Sequence, residues 1–244
     1  MDFGLTDEQE MLRTTARQFV GDVCPAETAK QWDEESAVPP ELFKGMADLG
    51  WFSLPFAETD GGDGGSPVEL ILIAEELGRA SFDVAMCYIG VLIPGITVFD
   101  WGSDAQRAFI REQVMTGRQR LAVAVSEPDS GSDAAALRTF AQDRGDHFVV
   151  NGQKMWCTGA GLPDTTIATY VRTGPREPKH EGISLLLIDP RAEGVEVRRT
   201  PTLARHILGT TRYTCPMWWC RGRTWSAPRT RGGRCCCPTS SWRR

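Results

Sequence analysis

In Val125-Ser126-Glu127-Pro128-Asp129-Ser130-Gly131-Ser132-Asp133, the first residue ends the short apolar run 121–125, and turn-forming residues come next. Turn-forming residues after β-prone residues predict a strand that runs into a tight turn. The backbone N–H groups of such a turn, together with its hydroxyls, suit a phosphate or a polar heteroaromatic ring. An ordinary hairpin turn has the same composition, so this segment alone leaves both interpretations open.

A second segment begins with Asn151-Gly152, a dipeptide that predicts a β-hairpin. It continues as Gln153-Lys154-Met155-Trp156-Cys157-Thr158-Gly159. Trp156 and Thr158 are two residues apart, so on a strand their side chains point to the same face. An indole and a hydroxyl on one face suit an aromatic ligand, because the indole packs on the ring while the hydroxyl bonds its edge. A tryptophan buried in the core explains the same pattern.

The residues before these segments predict helices. Thr6 and Gln9 form a capping box at the start of a helix that Pro25 ends. Further helices are expected over 26–35, 40–49, 66–78, 82–99 and 104–116, and we assign Glu75 and Glu76 to a helix surface. The glycine-rich stretch 61–65 lacks a preceding strand and the Lys-Ser/Thr of a phosphate-binding loop, which favours a flexible turn.

From Arg118 onwards, short strand-like runs alternate with Gly, Pro and Asp. The predicted fold class is therefore α+β, with an all-helical bundle domain (1–117) followed by an antiparallel β-barrel-like domain (118–210). The strand-like runs are 121–125, 148–150, 166–171, 183–188 and 195–197.

Considered together, SEPDSGSD (126–133) and NGQKMWCTG (151–159) resemble the two signature motifs of acyl-CoA dehydrogenases, T-E-P-x-x-G-S-D and N-G-x-K-x-W-I-T-N. Shorter matches occur in the family's order at 2–9, 50–55, 74–78 and 183–189, so the resemblance covers roughly residues 1–210. It implies an FAD-dependent enzyme with a helical domain, then a β domain, then a second helical domain.

The resemblance also implies roles for residues of both motifs. Ser126 would bond the isoalloxazine ring, Ser132 would approach the cofactor's phosphates or the acyl-CoA substrate, and Thr158 would hydrogen-bond near flavin N5. Asp129 is expected to face solvent, away from an anionic cofactor. The cofactor-binding residues implied in this way are Val123, Val125, Ser126, Gly131, Ser132, Trp156, Cys157 and Thr158.

The implied reaction is α,β-dehydrogenation of an acyl-CoA thioester, as in fatty-acid β-oxidation, with electron-transfer flavoprotein as acceptor and a homo- or hetero-tetramer as the assembly. The family's base is a glutamate of the C-terminal helical domain, so no residue here is assigned as catalytic, Glu127 included. Alternatives on the same fold stay open: a flavin monooxygenase, a nitroalkane oxidase, a non-enzymatic partner subunit or a pseudogene product.

Composition separates the last residues from the rest. Residues 212–244 hold eight arginines and no Lys, Asp or Glu, whereas the whole chain has a net charge of −5. The acidic body argues against a nucleic-acid partner. Five cysteines of the tail lack the spacing of a zinc site, and Cys24, Cys87 and Cys157 are isolated, as in reduced cytosolic thiols.

The same reading predicts a cytoplasmic protein. The acidic N-terminus is unlike a signal peptide, and the apolar stretch Val84–Val98 is interrupted by Gly and Pro, so no membrane span is expected.

The genetic code offers an explanation of the tail. If the third base of each codon is read with the first two bases of the next, Met217–Cys220 becomes three valines and Cys235–Cys237 becomes two leucines. Neighbouring codons then permit the family's missing segment. We therefore expect residues 211–244 to be an aberrant, disordered tail with a reading frame shifted near Thr211. The chain would be a truncated, inactive form that binds FAD weakly or not at all.

Overall fold

A computed structural model describes residues 4–145 and 147–221 of the chain. It divides into a helical region (4–119) and a β region (120–221). The helices are α1 (Asp7–Val23), α2 (Ala26–Glu35), α3 (Pro40–Asp48), α4 (Pro67–Ala80), α5 (Phe82–Trp101) and α6 (Asp104–Phe109), with a 3₁₀ turn at Glu58–Asp60 and a π-helical turn at Ile110–Val114.

Two predicted helix starts are confirmed, whereas the ends predicted at 78, 99 and 116 differ: α4 ends at Ala80, α5 at Trp101 and α6 at Phe109, before the π-helical turn. Thr6 and Gln9 form the capping box of α1, and Ser66 and Glu69 form that of α4. Each box satisfies backbone N–H groups that the first helical turn leaves without partners. Helix starts are therefore encoded within a few residues of sequence.

The glycine-rich stretch forms a tight turn. The N–H of Gly62 donates to the carbonyl of Ala57 (3.0 Å), and the N–H of Gly65 donates to the carbonyl of Leu54 (2.7 Å). A Cβ on Gly62 would lie 2.2 Å from the carbonyl oxygen of Phe56, so this close approach requires glycine. This packing agrees with the prediction that the stretch is a turn and not a phosphate-binding loop.

Helix α5 is the central helix of the helical region. The sequence predicts a helix over 82–99, and this is confirmed: the helix is continuous for 20 residues, with Pro94 inside it. It is the one helix among the described residues long and apolar enough to cross a membrane, and it is mostly buried within the protein. Packing on several sides outweighs the hydrogen bond that Pro94 cannot donate.

The core of the helical region extends onto the sheet. The ring of Trp51 contacts the rings of Phe19 (centroids 5.0 Å apart) and Tyr88 (6.2 Å). Leu185 and Leu187 of the sheet belong to the same buried cluster. The intervening Leu186 lies in a second cluster on the other face of the sheet, so one face of the sheet packs against the helices.

The β region is a seven-stranded sheet. Its strands are β1 (Arg120–Ala124), β2 (Phe140–Asp143), β3 (His147–Thr158), β4 (Thr165–Arg172), β5 (Ile183–Ile188), β6 (Glu196–Thr200) and β7 (Thr210–Arg221). The strand order is β1-β4-β2-β3-β7-β6, and β5 also pairs with β4. The predicted fold class is confirmed, but the sheet is mixed where the sequence predicted an antiparallel one, because β1 and β2 both run parallel to β4.

The hairpin predicted at Asn151-Gly152 is wrong, because both residues lie inside the continuous strand β3. Strand β2 pairs with one edge of β3 and β7 pairs with the other, so tertiary pairing outweighs the local turn preference. Gly152 is needed for another reason. A Cβ at this position would lie 2.4 Å from Thr139 Oγ1.

The sheet extends past residue 210, where the sequence analysis placed its end. Thr210–Arg221 forms β7 between β3 and β6, with Tyr213 and Cys215 buried. The alternation of these two buried side chains is typical of a strand with one face in the core. Residues 222–244, with the cysteine triplet, lie outside the described residues. The shifted reading frame therefore stays a prediction.

Candidate active site

A β-bulge in β3 shapes the candidate site. The pairing of β3 with β7 shifts register between Lys154 and Cys157, and Trp156 has a φ of +61°. The bulge turns both Lys154 and Cys157 into the interior, whereas 57% of the Trp156 surface is exposed. A tryptophan in the left-handed region costs about 1 kcal/mol or more, and such outliers persist where the surrounding structure fixes them.

Below the bulge, a buried ion pair joins the two signature segments. Lys154 Nζ donates to Glu127 Oε1 (2.8 Å) and to the carbonyl of Val125 (3.0 Å). Burial raises the pKa of Glu127. Hydrogen bonds from Lys154 and from the N–H groups of Arg138 and Thr139 together lower this pKa by more than burial raises it, so it lies below the ordinary value of a glutamate. Glu127 is thus held ionised as a structural anchor.

Backbone contacts hold the same two segments together. The N–H of Met155 donates to the carbonyl of Ser126 (2.8 Å), which places the end of β1 beside the bulge. Within the turn, Glu127 and Ser130 exchange hydrogen bonds of 2.7 and 3.2 Å between their backbone groups. The structure therefore brings together two segments that lie about twenty residues apart in the chain.

A cavity of about 110 Å³ lies between α5 and the edge of the sheet next to the bulge. Its sheet side presents Val123, Trp156 and Thr158, and α5 presents Met86 and Val91. An apolar lining with one hydroxyl and one exposed indole suits one face or edge of a planar, partly polar ligand, of which a space of this volume holds only a part. The other lining residues are Val38, Phe43, Cys87, Gly90, Arg120, Leu121, Gly159, Leu162, Arg205 and Leu208.

Two arginines give the cavity a positive character. The guanidinium of Arg120 lies 4.4 Å from the ring centroid of Phe43, and burial lowers its pKa. The guanidinium of Arg205 lies 5.0 Å from the ring centroid of Phe82. No aspartate or glutamate lines this cavity in the part of the chain that the structure describes. The site is therefore compatible with an anionic or electron-rich ligand.

The residues predicted for the cofactor site fall into three groups. Val123, Trp156 and Thr158 line the cavity. Val125 and Ser126 are half-buried at the end of β1 and do not line it. Gly131 and Ser132 lie exposed on the turn, outside the cavity, and a Cβ on Gly131 would meet no atom within 4 Å.

Three expectations about individual side chains have different outcomes. Cys157 was expected to contact the flavin, but its thiol is fully buried in the second core cluster, because the bulge turns it away from the cavity. Glu76 is 3% exposed and pairs with Arg17 (2.6 Å), so its assignment to the helix surface is wrong. Asp129 faces solvent as predicted, beside Arg138 (3.3 Å).

The cavity residues of α5 and the two arginines, Arg120 and Arg205, are not among the site residues predicted from the sequence. No spacing in the sequence relates residues 86–91 on a helix to a strand some seventy residues later, because only the packing of the helical region on the sheet brings them together. Among the described residues, no group of three or more His, Cys, Asp or Glu could hold a metal ion.

Comparison with known proteins agrees with this architecture. Residues 6–118 match the sequence model of the acyl-CoA dehydrogenase N-terminal domain, and residues 122–215 match that of the middle domain. The chain belongs to the acyl-CoA dehydrogenase family. Acyl-CoA dehydrogenases are oxidoreductases, and the two matched models together cover both the helical region and the sheet.

One curated relative is the probable acyl-CoA dehydrogenase YngJ of Bacillus subtilis, 31% identical over 199 residues, which are 81% of this chain and 52% of the relative. The chain thus spans about half the length of the curated relatives that it matches.

Two solved structures of this family show the same fold. A glutaryl-coenzyme A dehydrogenase in complex with glutaryl-CoA is 27% identical, with a TM-score of 0.84 over 92% of this chain and 57% of that one. The glutaryl-CoA dehydrogenase of Mycobacterium smegmatis, solved in complex with FADH2, is 22% identical, with a TM-score of 0.80 over 91% of this chain and 55% of that one.

Proposed function

We propose that this chain forms the flavin-facing part of an FAD-dependent acyl-CoA dehydrogenase that introduces an α,β double bond into an acyl-CoA thioester. One observation carries the proposal. The bulge of β3 places Trp156 and Thr158 in the same cavity wall as Val123 of β1, against the apolar face of α5. The second signature segment thus presents an indole and a hydroxyl to the same space as β1, the strand that leads into the first segment.

The residues present fit an isoalloxazine ring. The exposed indole of Trp156 offers a flat apolar surface, and the hydroxyl of Thr158 offers a hydrogen bond at the ring's edge. Val123 and Val91 offer small apolar contacts. The open space in front of Gly131, on the adjacent turn, leaves the backbone accessible to a phosphate. The absence of carboxylates from the cavity lining of the described chain avoids repulsion of an anionic cofactor.

The chain's own residues orient ligands and exclude water. When bound, a flavin supplies the acceptor for the hydride that leaves the substrate's β-carbon. Trp156 limits the tilt of a ring that packs on it, and Thr158 directs its hydroxyl to the ring's edge. The apolar side chains of Met86 and Val91 keep the opposite wall dry, which strengthens each polar contact inside the cavity.

The base that removes the α-proton lies outside the residues described here. Glu127 is committed to Lys154, and Glu76 is committed to Arg17 on the far side of the helical region. The glutamate of a further helical domain is the group that the family resemblance implies. Electron-transfer flavoprotein is the proposed electron acceptor and a tetramer the proposed assembly, since a reduced flavin needs a partner that removes its electrons.

We also propose a cytoplasmic location. Cys24, Cys87 and Cys157 are free and buried, which agrees with a reducing compartment.

Titration with FAD tests the proposed cofactor site. Because the chain spans about half of its relatives' length, we expect weak binding: at high FAD concentration the purified chain should quench FAD fluorescence saturably. Trp156→Ala should weaken this affinity about tenfold further, because a stacking surface and its burial are lost. Trp101→Ala is the matched control, since this residue is similarly exposed (53% against 57%) but does not line the cavity. Equal losses in both variants, or no saturable binding to the wild-type chain, would refute the proposal.

A further inference from the structure

The hydroxyl of Thr158 has a partner that the sequence motifs do not include. Arg205 Nη1 lies 3.0 Å from Thr158 Oγ1, although the two residues are 47 positions apart. Arg205 follows β6, and its side chain reaches across to the end of β3 inside the cavity wall. The contact therefore joins the cavity's hydroxyl to a segment of the chain outside both motifs.

The direction of this hydrogen bond is fixed by chemistry. A guanidinium carries donors only, so Thr158 Oγ1 must accept from Arg205. A threonine hydroxyl has one hydrogen of its own and two lone pairs. With one lone pair taken by Arg205, the hydroxyl keeps its own hydrogen for another acceptor, and Thr158 and Arg205 both line the cavity. Arg205 thereby favours Thr158 as a donor to whatever the cavity holds.

Several contacts hold Arg205 in place. Its backbone has a φ of +68°, in the left-handed region, and its guanidinium lies over the ring of Phe82. The next residue, His206, contacts Asp33 (2.9 Å), and the N–H of Ile207 donates to the buried carboxylate of Asp83 (2.9 Å). These anchors lie in α2 and at the start of α5, so the helical region sets the position of the Arg205 side chain.

We propose that Arg205 is a positioning residue for the flavin site: it orients the Thr158 hydroxyl as a donor toward the acceptor nitrogen of the bound ring. This inference rests on the proposed function, because the acceptor is taken to be an isoalloxazine edge. Since Arg205 acts through Thr158, it need not touch the ring itself.

A double-mutant cycle of FAD affinity tests the proposal. Arg205→Met and Thr158→Val should each weaken FAD binding about tenfold, the scale of one hydrogen bond lost next to a charged group. Arg205→Met should add less than about twofold in the Thr158→Val background, because the hydroxyl it orients is gone. Arg205→Lys, which keeps the charge and a donor, should recover most of the affinity.

The absorption spectrum of bound FAD gives a second readout that a merely structural role would not move. Arg205→Met and Thr158→Val should shift the flavin bands in the same direction, since Thr158→Val removes the hydroxyl that bonds the ring and Arg205→Met leaves it without its orienting partner. Arg198→Met, at an exposed arginine of β6 paired with Glu196, is the control and should leave affinity and spectrum unchanged.

The outcomes separate the two proposals. If the wild-type chain binds no FAD, both fall. If Trp156→Ala weakens binding but Arg205→Met does not, the cofactor site stands and the role of Arg205 is refuted. If the losses from Arg205→Met and Thr158→Val multiply in the double variant, Arg205 does not act through Thr158, which equally refutes it.

Discussion

The helical region and the β region are stabilised in different ways. Buried side chains of the helical region are largely apolar. Of its two buried carboxylates, Glu76 pairs with Arg17, whose side chain is 56% exposed, and Asp83 accepts from the N–H of Ile207. In the β region, charged groups lie in the interior. Lys154 is fully buried and Glu127 nearly so. The helical region relies on nondirectional apolar contact, whereas the β region relies on polar contacts with fixed geometry.

Arg172 is a second example from the β region. This buried side chain donates to the backbone carbonyls of Ala135, Leu137, Pro175, Lys179 and Glu181 at 2.7 to 3.4 Å. One cation thus supplies the donors for five loop carbonyls. A buried arginine of β4 therefore holds two loops of the β region, where regular strand pairing does not.

The comparison shows where precision is needed. An apolar core tolerates small shifts, because contact between methyl groups has no preferred direction. The candidate site depends on the bulge at Trp156 and on the turn after β1, and the Lys154–Glu127 pair ties these together. Substitutions in the two regions should therefore differ both in their cost to stability and in their effect on ligand binding.

Lys154→Met should have the largest effect, because it leaves the Glu127 carboxylate buried without its ion-pair partner. We expect the free energy of unfolding in urea to fall by about 3–5 kcal/mol. FAD affinity should fall as well in whatever fraction stays folded, since the turn after β1 loses its anchor. Lys179→Met is the control, because Lys179 pairs with Asp133 at the surface and should cost less than about 1 kcal/mol.

The double variant Lys154→Met/Glu127→Leu sharpens this test. Replacing both charges removes the stranded carboxylate, so part of the lost stability should return. If Lys154→Met costs no more than Lys179→Met, the buried pair is not what holds the β region together.

Leu42→Ala probes the helical region and should cost somewhat less. Leu42 of α3 is fully buried in the apolar core, and its truncation should lower the free energy of unfolding by about 3 kcal/mol. FAD affinity of the folded protein should change less than about twofold, because Leu42 does not line the cavity. Ile71→Ala, at a side chain 65% exposed on α4, is the control. Loss of FAD affinity at full folding would contradict the division between the two regions.

The contact between the regions should give the smallest effect, and it depends on pH. The hydrogen bond to Asp33 raises the pKa of His206 above its ordinary 6.5, and the backbone carbonyl of Thr202 adds to this. A raised folded-state pKa contributes stability that is complete below the unfolded pKa and is lost as pH rises through the folded one. The urea midpoint of the wild type should therefore fall relative to His206→Gln as pH rises above 6.5.

The effect should be small because both side chains reach solvent, with 38% of His206 and 43% of Asp33 exposed. Asp83, the nearby carboxylate at the start of α5, also favours the charged imidazole. If the difference in urea midpoint between the wild type and His206→Gln stays constant with pH, or grows in favour of the wild type at high pH, this ion pair does not link the regions.

The sequence predicted the helical region well and the β region in part. The capping boxes at Thr6 and Ser66 were readable, because a cap depends on residues three positions apart. β2 and β7 were missed, and Asn151-Gly152 was misread as a hairpin, because strand identity depends on partners far away in the chain. The sequence also predicted the motif residues, but the burial of the Cys157 side chain in the second core cluster is seen only in the structure.

By itself, the sequence determined the family, the order of helices before strands and the two segments that carry the candidate site. These follow from motifs and from local rules of turns and caps, which act over a few residues. Only the tertiary structure decided that a bulge turns Trp156 into a cavity, that Lys154 and Glu127 meet in the interior, and that Arg205 reaches Thr158. The reason is physical: each of these contacts joins residues whose separation along the chain carries no information about their distance in space, until the sheet pairs and the helices pack upon it.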